Sequence, residues 1–119
     1  MKKRVEVQIK NLLVRCIVGI NDWEREKRQD IIINISLSYD GTEAVSSDKI
    51  EDAYNYRTLS KRVVTEVEKS NFFLIEKLSD YIMQIIMEDS RVQVAKVKVE
   101  KPHALRYSES VSVTIEEHR

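Results

Sequence analysis

At 119 residues with 42% hydrophobic content, the chain is sized for one domain, 1–119, and is too apolar to be disordered. Lys and Arg total 20 and so do Asp and Glu, and a net charge of zero argues against a general nucleic-acid binder, which needs surplus cations to displace counterions from phosphates. One cysteine allows no internal disulfide, two glycines and one proline leave no Gly-rich phosphate loop, and no apolar run approaches the roughly 20 residues of a membrane helix.

Met1-Lys2-Lys3-Arg4 has the charge of a signal-peptide start, but Val5-Glu6-Val7-Gln8-Ile9-Lys10 alternates apolar and polar residues and reads as a strand. A cytoplasmic protein with no membrane association is therefore expected. The first extended stretch runs from Val5 to about Val18. A second runs from Asp30 to Tyr39, where Ile31, Ile33, Ile35, Leu37 and Tyr39 share one face at period two and Ile32 interrupts the polar face. The charged segment Gly19 to Gln29 joins them. Asp40 to Asn55 is a second polar connection, with one short helical turn expected near Asp48.

From Thr58 the period changes. Leu59, Val63 and Val67, with Val64 beside them, fall at helical spacing, and Thr58 or Ser60 is the expected cap. Asn71 is expected to introduce a second helix, with Leu74, Ile75, Leu78, Ile82, Ile85 and Ile86 as its apolar stripe. Two strands follow, one with Ala95, Val97 and Val99 on a common face, the other with Val111, Val113 and Ile115. The order β-β-α-α-β-β predicts an α+β fold with two helices on one face of a four-stranded antiparallel sheet. Such a sheet has two open edges, and pairing with further copies is one way to cover them.

Lys101 continues the phase of Ala95, Val97 and Val99, so its side chain leaves on the apolar face beside Pro102. A lysine there either snorkels to water or sits in a partly desolvated pocket where its pKa falls. Glu76 stands in the stripe of the second helix, either compensating the helix dipole or ready to grip a planar amidine-like edge with two hydrogen bonds. Glu24 lies among Asp22, Arg25, Glu26, Lys27 and Arg28, a charge-rich run that usually means solvated surface. Tyr54 and Tyr56 read as core-edge fillers with hydroxyls reaching water. His103, His118 and Cys16 show no metal-ligand spacing, so no metal and no cofactor is expected.

In order, these residues resemble the dihydroneopterin aldolase and epimerase family. Gly19-Ile20, Glu24 and Gln29 are similar to its first loop and Asp52-Ala53-Tyr54-Asn55-Tyr56 to its central loop. Leu74-Ile75-Glu76-Lys77-Leu78 is similar to its Leu-Leu-Glu-x-Leu helix motif, and Lys101-Pro102-His103-Ala104 to its late lysine motif. The resemblance runs from about Leu12 to Ile115.

It implies the tunnelling fold, in which four subunits join by their edges into a barrel and two rings commonly stack into an octamer, with active sites at subunit interfaces. It implies a pterin substrate. Glu76 would anchor the 2-amino and N3 edge with help from the Ile75 amide, and the ring would stack near Tyr56 of a neighbouring subunit, with Tyr54 close by. Lys101 would perform acid–base catalysis, directly or through water; Glu24 would approach the hydroxylated side chain, and Tyr56 would relay a proton. Asn55-Tyr56-Arg57-Thr58 and the run His103 to Ser112 are similar to the epimerase branch, where Arg57 and Arg106 would pair with a triphosphate; surface solubility is the simpler role for both arginines. Lys101-Pro102 is the aldolase-like form of the lysine motif. The expected activity is inversion of C2′ of dihydroneopterin triphosphate or dihydroneopterin. Its alternatives are release of glycolaldehyde as an aldolase in folate biosynthesis, and a pterin-binding module without turnover.

Overall fold

The apolar phases of the sequence become four antiparallel strands in the order β1-β2-β3-β4, in a computed structural model that describes residues 1–119. Strand β1 is Arg4–Cys16, β2 Gln29–Asp40, β3 Val94–Pro102 and β4 Ser110–His118. Ile31, Ile33, Ile35, Leu37 and Tyr39 of β2 are all buried, as their period requires. β1 contains a feature that the alternation does not announce. Ile9 pairs with Ile35 and Leu12 with Ile33, so Lys10 and Asn11 together oppose Asn34 in a bulge. Asn11 takes φ 53°, and its N–H donates to the Asn34 Oδ1 at 2.9 Å. The extra residue switches the strand's phase, so Val5, Val7 and Ile9 before it and Leu12, Val14 and Cys16 after it turn to the same face.

Helices α3, Tyr56–Lys69, and α4, Ile75–Met87, cover that face. α3 packs on β1, and α4 on β3 and β4. The cap of α3 is Asn55, whose side chain accepts from the Thr58 N–H at 3.1 Å, rather than Thr58 or Ser60. α4 starts four residues later than Asn71. Asn71–Leu74 is an irregular connection bent at Phe73, and Leu74, expected in the buried stripe, is 52% exposed. Ile75, Leu78, Ile82, Ile85 and Ile86 are buried as expected, joined by Met83.

Both long connections hold more structure than their composition suggested. The first contains a helical turn, α1, Asp22–Arg25. The second contains α2, Thr42–Ser47, ending at Asp48 in the left-handed region, and then a 3-10 turn at Ile50–Asp52. One cluster of 22 buried residues runs through the sheet and both helices. No helix is long and apolar enough to cross a membrane.

Candidate active site

Lys101 lies on the phase that Ala95, Val97 and Val99 set, with its side chain 12% exposed. The ammonium does not reach water past the core. It meets the Glu24 carboxylate, with Nζ 2.5 Å from Oε2, and also donates to the Val18 carbonyl at 3.4 Å. Glu24 is the one charged residue buried in this chain, at 5% exposure.

The loop after β1 is shaped around that carboxylate. Gly19 takes φ 145°, a conformation L side chains rarely adopt, and a Cβ there would overlap the Glu24 carboxylate. Asn21 caps α1. Its backbone N–H and its side-chain amide donate to the Glu24 Oε1 at 3.3 and 2.9 Å. On the other oxygen, Gln29 Nε2 donates at 3.2 Å while also donating to the Val18 carbonyl at 3.1 Å. Burial alone would raise the carboxyl's pKa. The donors Lys101, Gln29 and Asn21, together with the charge of Lys101, outweigh it and pull the value down to about 2. A carboxylate with both oxygens engaged and a lowered pKa is a poor proton acceptor.

Below the pair lies Cys16, free and buried. Burial pushes its thiol pKa up, against the Ser70 hydrogen bond and the charges of Arg28 and Lys101. No group of three or more His, Cys, Asp or Glu side chains converges in the chain.

At the same end of the molecule α4 begins without a side-chain cap. Its first helical hydrogen bond is Leu78 N–H to the Leu74 carbonyl, which leaves the amides of Ile75, Glu76 and Lys77 without helical partners. Glu76 stands exposed beside them. Ile20, Trp23, Phe73 and Leu74 are all more than half exposed around this end.

Other expected site residues sit elsewhere in the chain. Tyr56, 58% exposed, and Arg57 start α3 and line a concavity with Gln8, Ile9, Ser60 and Lys61 along β1. Tyr54 is buried against Tyr39, ring centroids 6.1 Å apart. Glu100, next to Lys101, pairs with Ile32, and Tyr39 lies seven residues further along β2, which puts Tyr54 more than about 20 Å from the ion pair. Arg106 is exposed at the β3–β4 turn, 5.7 Å from the Tyr107 ring. The chain thus brings together Glu24 and Lys101, with Ile75 and Glu76 at the same end, and holds Tyr54, Tyr56 and Arg57 apart from them. Asn21 was missed from the sequence, where Gln29 was read with Gly19 and Glu24 as part of the first-loop motif but given no role.

Residues 7–116 match the family model described as FolB, dihydroneopterin aldolase. The chain belongs to the dihydroneopterin aldolase family. It is 41% identical over 113 residues to a dihydroneopterin triphosphate 2′-epimerase of Pseudomonas aeruginosa, covering 95% of this chain and 92% of that protein. With the Escherichia coli protein of the same name it shares 43% over 109 residues, 92% of this chain and 91% of the other. Among solved structures, it is similar to Escherichia coli dihydroneopterin aldolase in complex with neopterin, with TM-score 0.90, 27% identity and coverage of 95% and 98% of the two chains. Members of this family thus share its fold of four antiparallel strands and two covering helices.

Proposed function

We propose that this chain is an epimerase of reduced pterins, inverting C2′ of dihydroneopterin triphosphate or dihydroneopterin in the cytoplasm as a homo-oligomer. The observation that carries the reading is the buried Lys101–Glu24 pair at the same end as the uncapped start of α4 with its exposed Glu76. A pterin presents a flat amidine-like edge, which a carboxylate and a neighbouring amide N–H recognise together. Glu76 and the Ile75 amide take that edge, leaving the side chain of the substrate to reach Lys101.

The chemistry asks for no electron sink from the protein. The C6=N5 imine of a dihydropterin adjoins C1′. Loss of the 2′-hydroxyl proton lets the C1′–C2′ bond break, its electrons moving onto the imine while C2′ becomes an aldehyde carbon. If the aldehyde turns over and C1′ attacks its other face, the bond reforms with C2′ inverted and O2′ takes a proton back. Lys101, as the amine, takes the 2′-hydroxyl proton, directly or through a water; the ammonium so formed, charge-paired with Glu24, stabilises the oxyanion at O2′ and returns the proton once the bond has reformed. Glu24 supports this by holding the ammonium. If C1′ is protonated first, glycolaldehyde (phosphorylated when the substrate is) departs and the reaction is an aldolase.

Arrangement of the chain supports a shared site. α4, β3 and β4 carry Glu76 and Lys101, whereas α3 and β1 carry Tyr56 and Arg57. Both β1 and β4 are edges of the sheet. Pairing β1 of one copy with β4 of the next brings a neighbour's Tyr56 and Arg57 towards the ion pair and covers exposed apolar residues such as Trp23 and Phe73. Tyr56 then stacks on the pterin, and Arg57 and Arg106 neutralise phosphate groups. Relatives at 41 and 43% identity bear the epimerase name, while the aldolase of known structure stands at 27%, which favours inversion over cleavage. The test is incubation of the protein with dihydroneopterin and with its triphosphate, products being separated by chromatography. The expected product is the monapterin epimer. Release of 6-hydroxymethyl-dihydropterin as the main product would make it an aldolase, and no conversion of either substrate would leave a pterin-binding module.

A further inference from the structure

The loop that holds Glu24 and the connection that leads into α4 are separate in sequence, yet one side chain joins them. Arg25, the last residue of α1, turns away from solvent and places its guanidinium among backbone carbonyls of both. Nη1 donates to the Gly19 carbonyl at 3.2 Å and to the Phe72 carbonyl at 2.9 Å, and Nη2 donates to the Asn71 carbonyl at 2.6 Å. Its Cζ lies over the Phe73 ring, 4.0 Å from the centroid. The Phe72 carbonyl also accepts from the Gly19 N–H at 3.2 Å, so the two segments are bonded in both directions.

We propose that Arg25 is a positioning residue for substrate binding: by gripping Asn71 and Phe72 from the loop of Glu24, it sets the first turn of α4 relative to Lys101. The proposal rests on the reading of Ile75 and Glu76 as the pterin-edge site. Its physical basis is how few contacts hold the connection besides Arg25, chiefly the Gly19 N–H on the Phe72 carbonyl and the Phe72 ring 5.3 Å from that of Tyr81. α4 has no side-chain cap, Leu74 and Phe73 are exposed, and the four-residue connection before it is neither helix nor strand. Such a segment has little of its own to define where the Ile75 amide and the Glu76 carboxylate point. A guanidinium satisfies three carbonyls from a rigid fork while lying over an aromatic ring; an ammonium lacks the reach between Nη1 and Nη2. Recognition by two parallel hydrogen bonds needs the carboxylate held to within about half an ångström, so a loosened connection weakens binding before it affects the proton transfer at Lys101.

The experiment uses the full-length protein with R25A and R25K. Neopterin affinity is read by fluorescence, kcat and KM with dihydroneopterin, and amide hydrogen exchange along the chain. For R25A the expected result is neopterin binding weakened by tenfold or more, KM raised in parallel and kcat changed by less than about threefold. Faster exchange should be confined to Ser70–Leu78 and Val18–Glu24, and added guanidinium ion should recover part of the affinity. R25K should fall between parent and R25A in both affinity and exchange, and it carries the comparison if R25A does not fold. Neopterin affinity in the folded variants within twofold of the parent overturns the positioning role. A drop in kcat with KM unchanged overturns it as well. A parent that binds no pterin overturns the function reading on which the proposal rests, and the two failures are distinguished by that control.

Discussion

At the hairpin end of the sheet Glu24 is buried; at the opposite end Tyr54 is. Both are about 5% exposed, and both feel burial as the largest influence on their ionisation. They respond in opposite directions. Tyr54 has a neighbouring Asp89 that adds to the effect of burial and only Arg91 to oppose it, so its pKa is pushed up to about 12 and the phenol stays neutral. Glu24 has Lys101, Gln29 and Asn21 as donors and its pKa falls to about 2. A core needs only neutral groups, and the Tyr54 end is built that way. Keeping a carboxylate ionised in the interior took a glycine with φ 145°, a capping asparagine, a glutamine and a lysine. That concentration of partners on one charge is why we propose the functional site at the hairpin end.

The largest expected effect comes from removing the cation. K101A should lower turnover by about 10²–10⁴-fold, the range of a lost acid–base group, while neopterin still binds through Glu76 and Ile75. Single-turnover assays and fluorescence titration read the two quantities separately. Equal loss of binding and turnover would mean that Lys101 shapes the pocket rather than acting on O2′. E24Q should follow, because a glutamine amide turns donors towards donors that the carboxylate satisfied. The folded pKa of Glu24, about 2, lies below its ordinary 4.5, so its stabilising contribution is complete above about pH 4.5 and is lost as pH falls to about 2. At neutral pH the contribution is about 3 kcal/mol. Urea denaturation across that window should show parent and E24Q converging as pH falls, and parallel curves would mean that the charge of Glu24 contributes no stability.

How far each end was legible follows from the range of the interactions involved. Strand phases and the stripes of α3 and α4 are local periodicities, and Ile31 to Tyr39, Leu59 to Val67 and Ile75 to Ile86 are buried as they predict. The phase of β3 put Lys101 on the apolar face, but the group that meets it comes 77 residues earlier, on a loop whose path depends on the conformation of Gly19. The bulge at Lys10 and Asn11 was visible only as two adjacent polar residues where the alternation changes phase. The start of α4 moved from Asn71 to Ile75 because the carbonyls of Asn71 and Phe72 are taken by Arg25 and Gly19, a tertiary bond that no local propensity encodes. Residues that act from a second copy, as Tyr56 is proposed to, carry no intrachain contact to betray them.

The smallest effect is the most discriminating for the other end. Y54F removes one hydroxyl from a buried ring that stays packed on Tyr39, and at neutral pH it should change stability by no more than about 1 kcal/mol. Its signature lies in alkali. Since the folded pKa of Tyr54, about 12, exceeds its ordinary 10, the neutral phenol stabilises the fold below pH 10, and this is lost as pH rises through about 12. The phenylalanine variant has no such loss, so denaturation curves should cross and leave it more stable than the parent by up to about 2 kcal/mol near pH 12. Lysines titrate there too, but equally in both proteins, so the difference isolates Tyr54. Turnover and neopterin affinity of Y54F should equal those of the parent. Weakened neopterin binding would instead mean that Tyr54 reaches the pterin across a subunit boundary, and the Tyr54 end would then be half of the neighbour's site.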